Sequence, residues 1–183
     1  NASISAESYA AAVSAGLGAI SGGGARAENT ISTTTKAYVQ NSTVTLSGDL
    51  DVHAQNTATA TSTTRAAAAA LGLSLAAAGS VTIVNVNPTV QSFVTGGTVK
   101  AQDISLKAAT IPKASATANG MAAGALAVGA SRATINITPT VTSTVGGNIT
   151  ADSLSSQAIS NKPSSGRSGS VTGSGSTGGL IGV

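Results

Sequence analysis

The chain has 183 residues, no cysteine and a formal net charge of +3, with only 2% aromatic and 8% charged residues. The nine cationic residues are scattered and almost no aromatic residue is present to stack bases, which argues against nucleic-acid binding. A hydrophobic content of 41% argues against disorder. The shortage of large side chains favours a thin structure over a compact domain with a thick core.

The first 21 residues alternate between small and polar side chains along their whole length, which predicts a β-strand. The even positions from Ala2 to Ile20 form one face of small residues. We expect Gly22-Gly23-Gly24 to end this strand, and residues 25–39 to form a second strand region. A strand–turn–strand unit follows at 43–54.

The alanine-rich segment Ala66–Val84 fits either a helix or a strand, because alanine and leucine favour helices and the run is almost long enough to cross a membrane. Its counterparts elsewhere in the chain, YAAAVSAGLGAISGGG and GMAAGALAVGAS, are rich in glycine and serine. Glycine and serine lower helix propensity, so we predict strands here and no membrane-spanning helix.

A recurring unit is clearest at 99–108, where Val99 and Ala101 precede a turn and Ile104, Leu106 and Ala108 alternate after it. Period-two alternation places these five side chains on one face. Copies occur at 44–54 and 149–158. The turns of the three copies contain Asp49, Asp103 and Asp152, and we predict that these residues are structural.

A second turn is predicted just before each copy, at Asn41-Ser42, Gly96-Gly97 and Gly146-Gly147. Glycine and asparagine reach positive φ at low cost. The segments NVNPTV (85–90) and NITPTV (136–141) also match, and the shared proline indicates a strand start, an edge or a bulge.

Together these copies predict an all-β repeat protein, a parallel β-solenoid built from imperfect repeats of 50–56 residues. We assign residues 1–56, 57–110 and 111–160 to three repeats. Residues 161–183 are predicted to be a loop (to 176) followed by the start of a fourth repeat. A shift of 56 aligns Ala66 with Ala10, and we expect the same shift to align Ala114 with Ala58. Because the pattern begins in mid-repeat, we expect a piece of a longer chain.

The residues offer no catalytic, cofactor or metal site, and we predict that the protein is not an enzyme. The single histidine, His53, has Lys107 and Gln157 as its repeat equivalents, so its position is simply polar. A row of the turn aspartates would supply one carboxylate per repeat, whereas calcium takes six to eight oxygens. We therefore interpret the aspartates as turn formers.

Two binding functions remain as alternatives. Thr57, Thr59, Thr61 and Thr63 could form an ice-binding row, but their equivalents at a shift of 56 include Glu7 and Lys113. Glycan binding usually needs aromatic platforms, and the chain has only Tyr9, Tyr38 and Phe93.

The segment VTGGTVKAQDISLKA (94–108) resembles the coil motif of filamentous-haemagglutinin-like and related giant repetitive surface adhesins of Gram-negative bacteria. The resemblance implies an elongated, fibre-like β-solenoid, secreted or anchored at the bacterial cell surface, that acts as a structural or adhesive shaft. Its implied partners are other copies, associating end to end or laterally, and the surface of a host or neighbouring cell. Open solenoid ends are unpaired edges, which also favours end-to-end association.

Overall fold

The computed structural model describes residues 1–160, 169–178 and 181–182, and within them it contains thirteen β-strands and no helix. In chain order the strands are β1 (Ala2–Ala15), β2 (Ile20–Ile31), β3 (Thr34–Thr45), β4 (Leu50–Leu71), β5 (Leu75–Val86), β6 (Thr89–Lys100), β7 (Asp103–Ala123), β8 (Leu126–Ile137), β9 (Thr140–Val145), β10 (Asn148–Thr150), β11 (Ser153–Ser160), β12 (Gly169–Gly178) and β13 (Ile181–Gly182). The all-β prediction is confirmed.

The strands form three parallel sheets. Sheet A has the order β1-β4-β7-β11, with β12 also beside β7, and sheet B has the order β2-β5-β8-β13. Sheet C contains β3, β6 and β10, with β9 also beside β6. The chain passes through sheets A, B and C in turn and then returns to A, and we call one such passage a coil. Each coil therefore adds one layer of strands to all three sheets.

The residue offset between paired strands decreases as far as β11 and is 55 again where β12 pairs with β7. Ala2 pairs with Ala58, 56 residues later, whereas Leu50 pairs with Ile104, 54 residues later. Between β6 and β10 the offset is 50. The predicted alignment of Ala114 with Ala58 is consequently wrong, because Ala58 pairs with Pro112. A coil that is two residues shorter moves every later pairing by two, which keeps the same face inward but changes the neighbour.

The long strands of sheet A pack against both other sheets. β4 has 22 residues, whereas β5 and β6 have 12 each. The first half of β4 faces sheet C, where Val52 belongs to one buried cluster with Val94 and Val99 of β6. The second half faces sheet B, where Ala66, Ala68 and Ala70 pack with alanines of sheet B. The interior between the sheets is therefore thick at one end, where it contains valine, leucine and isoleucine side chains. It is thin at the other end, where it contains alanines.

Glycines allow the close approach of sheets A and B at the thin end. A Cβ built on Gly23 of β2 would lie 2.5 Å from the carbonyl oxygen of Ala67, and one on Gly120 of β7 would lie 2.6 Å from that of Ala130. Both neighbours are backbone atoms on the facing sheet. Any side chain at these positions would push the two sheets apart.

The structure corrects the predicted end of the first strand. β1 ends at Ala15, and the turn lies at 16–19, where Gly16 and Gly18 have φ of 137° and 72°. Gly22, Gly23 and Gly24 lie inside β2. Glycine is common both at turns and where backbones approach closely, so its presence alone could not separate the two roles.

The strand prediction for Ala66–Val84 is confirmed. The segment contains the end of β4, a turn around Gly72 and most of β5. Its alanines at even positions point inward, with Ala66, Ala70 and Ala76 between 0% and 4% exposed.

The predicted loop at 161–176 is wrong for its second part. Residues 169–178 form β12, which pairs in register with 114–123 of β7. Glycine and serine do not prevent this strand, because its hydrogen bonds come from the backbone of a neighbour that is already in place. Residues 161–168 lie outside the described part of the chain.

Candidate functional site

The predicted turn aspartates lie at the thick end, where the chain passes from sheet C into sheet A, and two of them are joined from coil to coil. Asp49 Oδ1 accepts a hydrogen bond from the backbone N–H of Asp103 at 3.2 Å. Asp103 Oδ1 in turn accepts one from Ser153 Oγ at 2.7 Å. Each carboxylate therefore binds the next coil rather than its own turn. This ladder joins successive coils at the edge of the molecule.

The third aspartate is displaced from this column. Asp103 pairs with Ser153, and Asp152 instead donates its N–H to the carbonyl of Gln102 at 2.7 Å. The three carboxylates therefore do not form one line along the stacked coils. The displacement of Asp152 can be counted from the last alanine of each copy. Asp49 and Asp103 lie five residues before that alanine (Ala54 and Ala108). Asp152 lies six residues before Ala158. Within the described residues, no three His, Asp or Glu side chains converge as metal ligands.

The glycines predicted as turns change which side of the strand faces inward. Gly96 and Gly97 lie inside β6 with φ of 67° and 71°. Before them the even residues Val90 and Val94 are fully buried, whereas after them Val99 is. Two successive left-handed residues shift the alternation by one, so the strand continues with the opposite face inward.

The same left-handed column continues in the coils on either side. Asn41 has φ 48° and Gly147 has φ 105°, and both lie beside Gly96. A Cβ on Gly147 would come 3.0 Å from the carbonyl oxygen of Gly96, whereas one on Gly146 would meet only the Val94 oxygen at 4.0 Å. The four glycines thus differ in how strictly each position requires glycine.

His53 lies on the outer surface of sheet A and pairs with Lys107, which pairs with Gln157. The column therefore contains one imidazole, one ammonium group and one amide on successive coils. No acidic residue occupies it. The chain has no second histidine that could act with His53.

The outer face of sheet A carries a hydroxyl array that is more regular than the sequence indicated. With the observed register, Ser5, Thr61, Ser115 and Ser170 form one column of paired residues. The next column along the strands contains Thr63, Thr117 and Thr172, and it begins with Glu7. In the third column Thr59 has Lys113 as its neighbour, not Ser115 as a shift of 56 implies. The array is therefore broken by charges on two of three columns.

Two of the three aromatic side chains stack on each other between coils. Tyr38 and Phe93 are paired residues of β3 and β6, and their rings stack with centroids 5.0 Å apart and an angle of 8°. This stacking uses one face of each ring to join two coils. Tyr9 is on sheet A, where it pairs with Arg65.

The feature that sequence reasoning missed is a concentration of outward-facing apolar side chains at the thin end. Nine of the fifteen exposed large apolar residues in the described chain lie there: Val13, Leu17, Ile20, Leu71, Leu73, Leu75, Met121, Leu126 and Val128. We call the outward-facing residues of segments 10–25, 66–80 and 120–131 the apolar edge. The available signal was the absence of any charged residue from these three segments.

The part of the chain that the structure describes offers no helix with the length and apolarity needed to cross a bilayer. In comparisons with protein-family models, with curated proteins and with solved structures, the sequence finds no match.

Proposed function

We propose that this chain is a segment of a parallel β-solenoid that serves as a structural or adhesive shaft of a large surface protein. The observation that supports this proposal is the continuity of pairing. In each sheet, strands from successive coils pair in parallel and in register, and the turns between them also hydrogen-bond from coil to coil. Such an arrangement adds about 4.8 Å of length per coil and can be extended indefinitely.

The side chains support the same proposal, because many of them form ladders between coils. Asn136 Nδ2 donates to Asn85 Oδ1 at 2.8 Å, and Asn85 Nδ2 donates to Thr30 Oγ1 at 3.3 Å. Ser92 and Ser143 are joined at 3.3 Å. A residue used in this way contributes to the stacking of coils and leaves less of its hydrogen-bonding capacity for a ligand.

The dimensions support a broad shaft. β4 has 22 residues, which corresponds to about 70 Å across the coil at ~3.3 Å per residue. The four successive strands β1, β4, β7 and β11 span only about 15 Å along the stacking direction. A shaft therefore requires more coils than these, and our proposal includes a longer chain secreted to, or anchored at, the bacterial surface, with end-to-end contacts through its open strand edges.

Electron cryomicroscopy of the native full-length protein would test the proposal. We expect elongated particles with a repeat of about 4.8 Å along the long axis. Compact particles without this repeat would contradict it. For the 183-residue chain, sedimentation at increasing concentration would test end-to-end contacts, and a monodisperse monomer at high concentration would count against them.

A further inference from the structure

We propose that the apolar edge inserts into one leaflet of a phospholipid membrane. Its side chains are highly exposed: Leu17 is 91% exposed, Leu73 72% and Leu71 64%. Soluble proteins rarely leave so many large apolar residues together in water. The inference is independent of the proposed shaft function.

At the apolar edge the small side chains are inside and the large apolar side chains are outside, the opposite of an ordinary protein core. The interior between its two sheets contains only small residues, and the buried cluster there consists of eight alanines. Its leucines, isoleucine, valines and methionine point outward instead. Since the large side chains contribute little to internal packing, their burial requires something outside the fold.

The apolar surface covers both outer faces and the turns between them. On sheet A the outward residues of this region include Ala11 of β1, Leu71 of β4 and Ala123 of β7. On sheet B they include Ile20, Leu75 and Leu126. Leu17 and Leu73 lie in the turns at the tip. A second copy or another flat protein surface would cover one face only. A lipid leaflet surrounds the tip and both faces together.

The charged residues nearest the tip lie at one depth on both faces. Arg65 on sheet A lies six residues before Leu71, while Arg26 and Arg132 on sheet B lie six residues after Ile20 and Leu126. Six residues of strand correspond to about 20 Å. The hydrocarbon of one leaflet is about 15 Å thick, so the guanidinium groups would reach the phosphates.

The carboxylates lie farther from the tip than these arginines. Glu28 is two residues beyond Arg26, to which it is paired at 3.0 Å, and Glu7 is two residues beyond Tyr9, the residue that pairs with Arg65. The first charges that a leaflet would meet on either face are therefore cationic. This order complements phosphate groups, which are anionic.

Several backbone N–H groups of the tip turns are hydrogen-bonded to the neighbouring coil, which lowers the cost of placing them in hydrocarbon. Gly16 N–H donates to the Leu71 carbonyl at 3.1 Å, and Gly18 N–H donates to that of Leu73 at 2.8 Å. Leu126 N–H likewise donates to the Ser74 carbonyl at 3.0 Å. These bonds continue the pairing of the strands into the turns.

Flotation of the 183-residue chain with vesicles of phosphatidylcholine and phosphatidylglycerol would test the proposal. We expect the wild-type chain to float with the vesicles. The double variant Leu17→Ser/Leu73→Ser should partition at least about a hundredfold more weakly, because full burial of one leucine side chain corresponds to a factor of roughly 10–100. Circular dichroism would verify that both proteins remain folded. Tyr38→Ser is the matched control, since Tyr38 is 57% exposed but lies on sheet C.

A fluorescent probe would report the depth of insertion. The chain contains no tryptophan. In Leu73→Trp, bromine atoms on lipid acyl chains should quench the emission, and in Thr61→Trp, on the hydroxyl array, they should not. Absence of vesicle binding, equal loss of binding in Tyr38→Ser, or quenching at position 61 alone would overturn the proposal. Self-association without vesicles that the double variant abolishes, together with no flotation, would instead identify the edge as a contact between copies.

Discussion

The glycine triplet at 22–24 provides a direct test of the spacing between sheets A and B. All three residues lie in β2, but only Gly23 faces the other sheet at close range. A Cβ on Gly23 would lie 2.5 Å from the Ala67 carbonyl oxygen, whereas one on Gly22 or Gly24 would have no atom within 4 Å. Alanine at 23 therefore requires the two sheets to separate by about half an ångström or more, because such contacts below 3.0 Å essentially do not occur.

The three alanine variants should change the free energy of unfolding in opposite directions. Gly22→Ala and Gly24→Ala should raise the free energy of unfolding by about 0.4–1 kcal/mol, because alanine restricts the unfolded chain. Gly23→Ala has the same benefit but overpacks the interface, which costs about 1–3 kcal/mol. Since the benefit is common to all three variants, the difference between Gly23→Ala and its neighbours should be about 1–3 kcal/mol, or roughly 2–12 °C in Tm.

Urea and thermal denaturation followed by circular dichroism would measure these differences in the 183-residue chain. The three variants share one chemical change and one strand, so that strand propensity cancels between them. If Gly23→Ala were as stable as Gly24→Ala, the close approach of the sheets would be refuted. If all three variants lost stability equally, the cause would be a general requirement for glycine in β2.

Three further predictions concern buried hydroxyls, backbone conformation and the thick end, all measured as the free energy of unfolding. Thr110→Val should stabilise the protein by about 1 kcal/mol, because the fully buried Thr110 Oγ1 has no hydrogen-bond partner among the described residues. Thr82→Val should destabilise it by about 1–3 kcal/mol, since the Thr82 hydroxyl makes buried hydrogen bonds of 2.6 and 2.9 Å; equal effects at 82 and 110 would contradict both. Gly147→Ala, at φ 105°, should cost about 1–2 kcal/mol, whereas Gly146→Ala should be nearly neutral, and the reverse order would contradict the left-handed column. Leu106→Ala should cost about 2–5 kcal/mol because Leu106 is fully buried, and a loss below 1 kcal/mol would show that the thick end is not well packed.

The sequence alone was sufficient for the all-β class, the repeated unit and the inward residues of the clearest copy. Period-two alternation is a local property, and Val99, Ile104, Leu106 and Ala108 are buried as it predicted. The turn between β3 and β4 could also be predicted from neighbouring residues, because Ser47-Gly48-Asp49 interrupts the alternation. The structural interpretation of His53 as an outward polar position agrees with its exposure on sheet A.

Only the tertiary structure decided which residues of neighbouring coils meet and what lies across the interior. Asp152 and Ala114 were assigned to wrong neighbours because one extra residue in a turn, or two fewer residues in a coil, leave the alternation within each strand unchanged while they move the pairing. The role of Gly23 depends on a carbonyl group in another sheet, 44 residues away in the chain. The apolar edge likewise arises when three uncharged segments, far apart in sequence, are stacked by parallel pairing. Alternation determines which side chains share a face, but whether a face is interior or exterior depends on the sheet that packs against it.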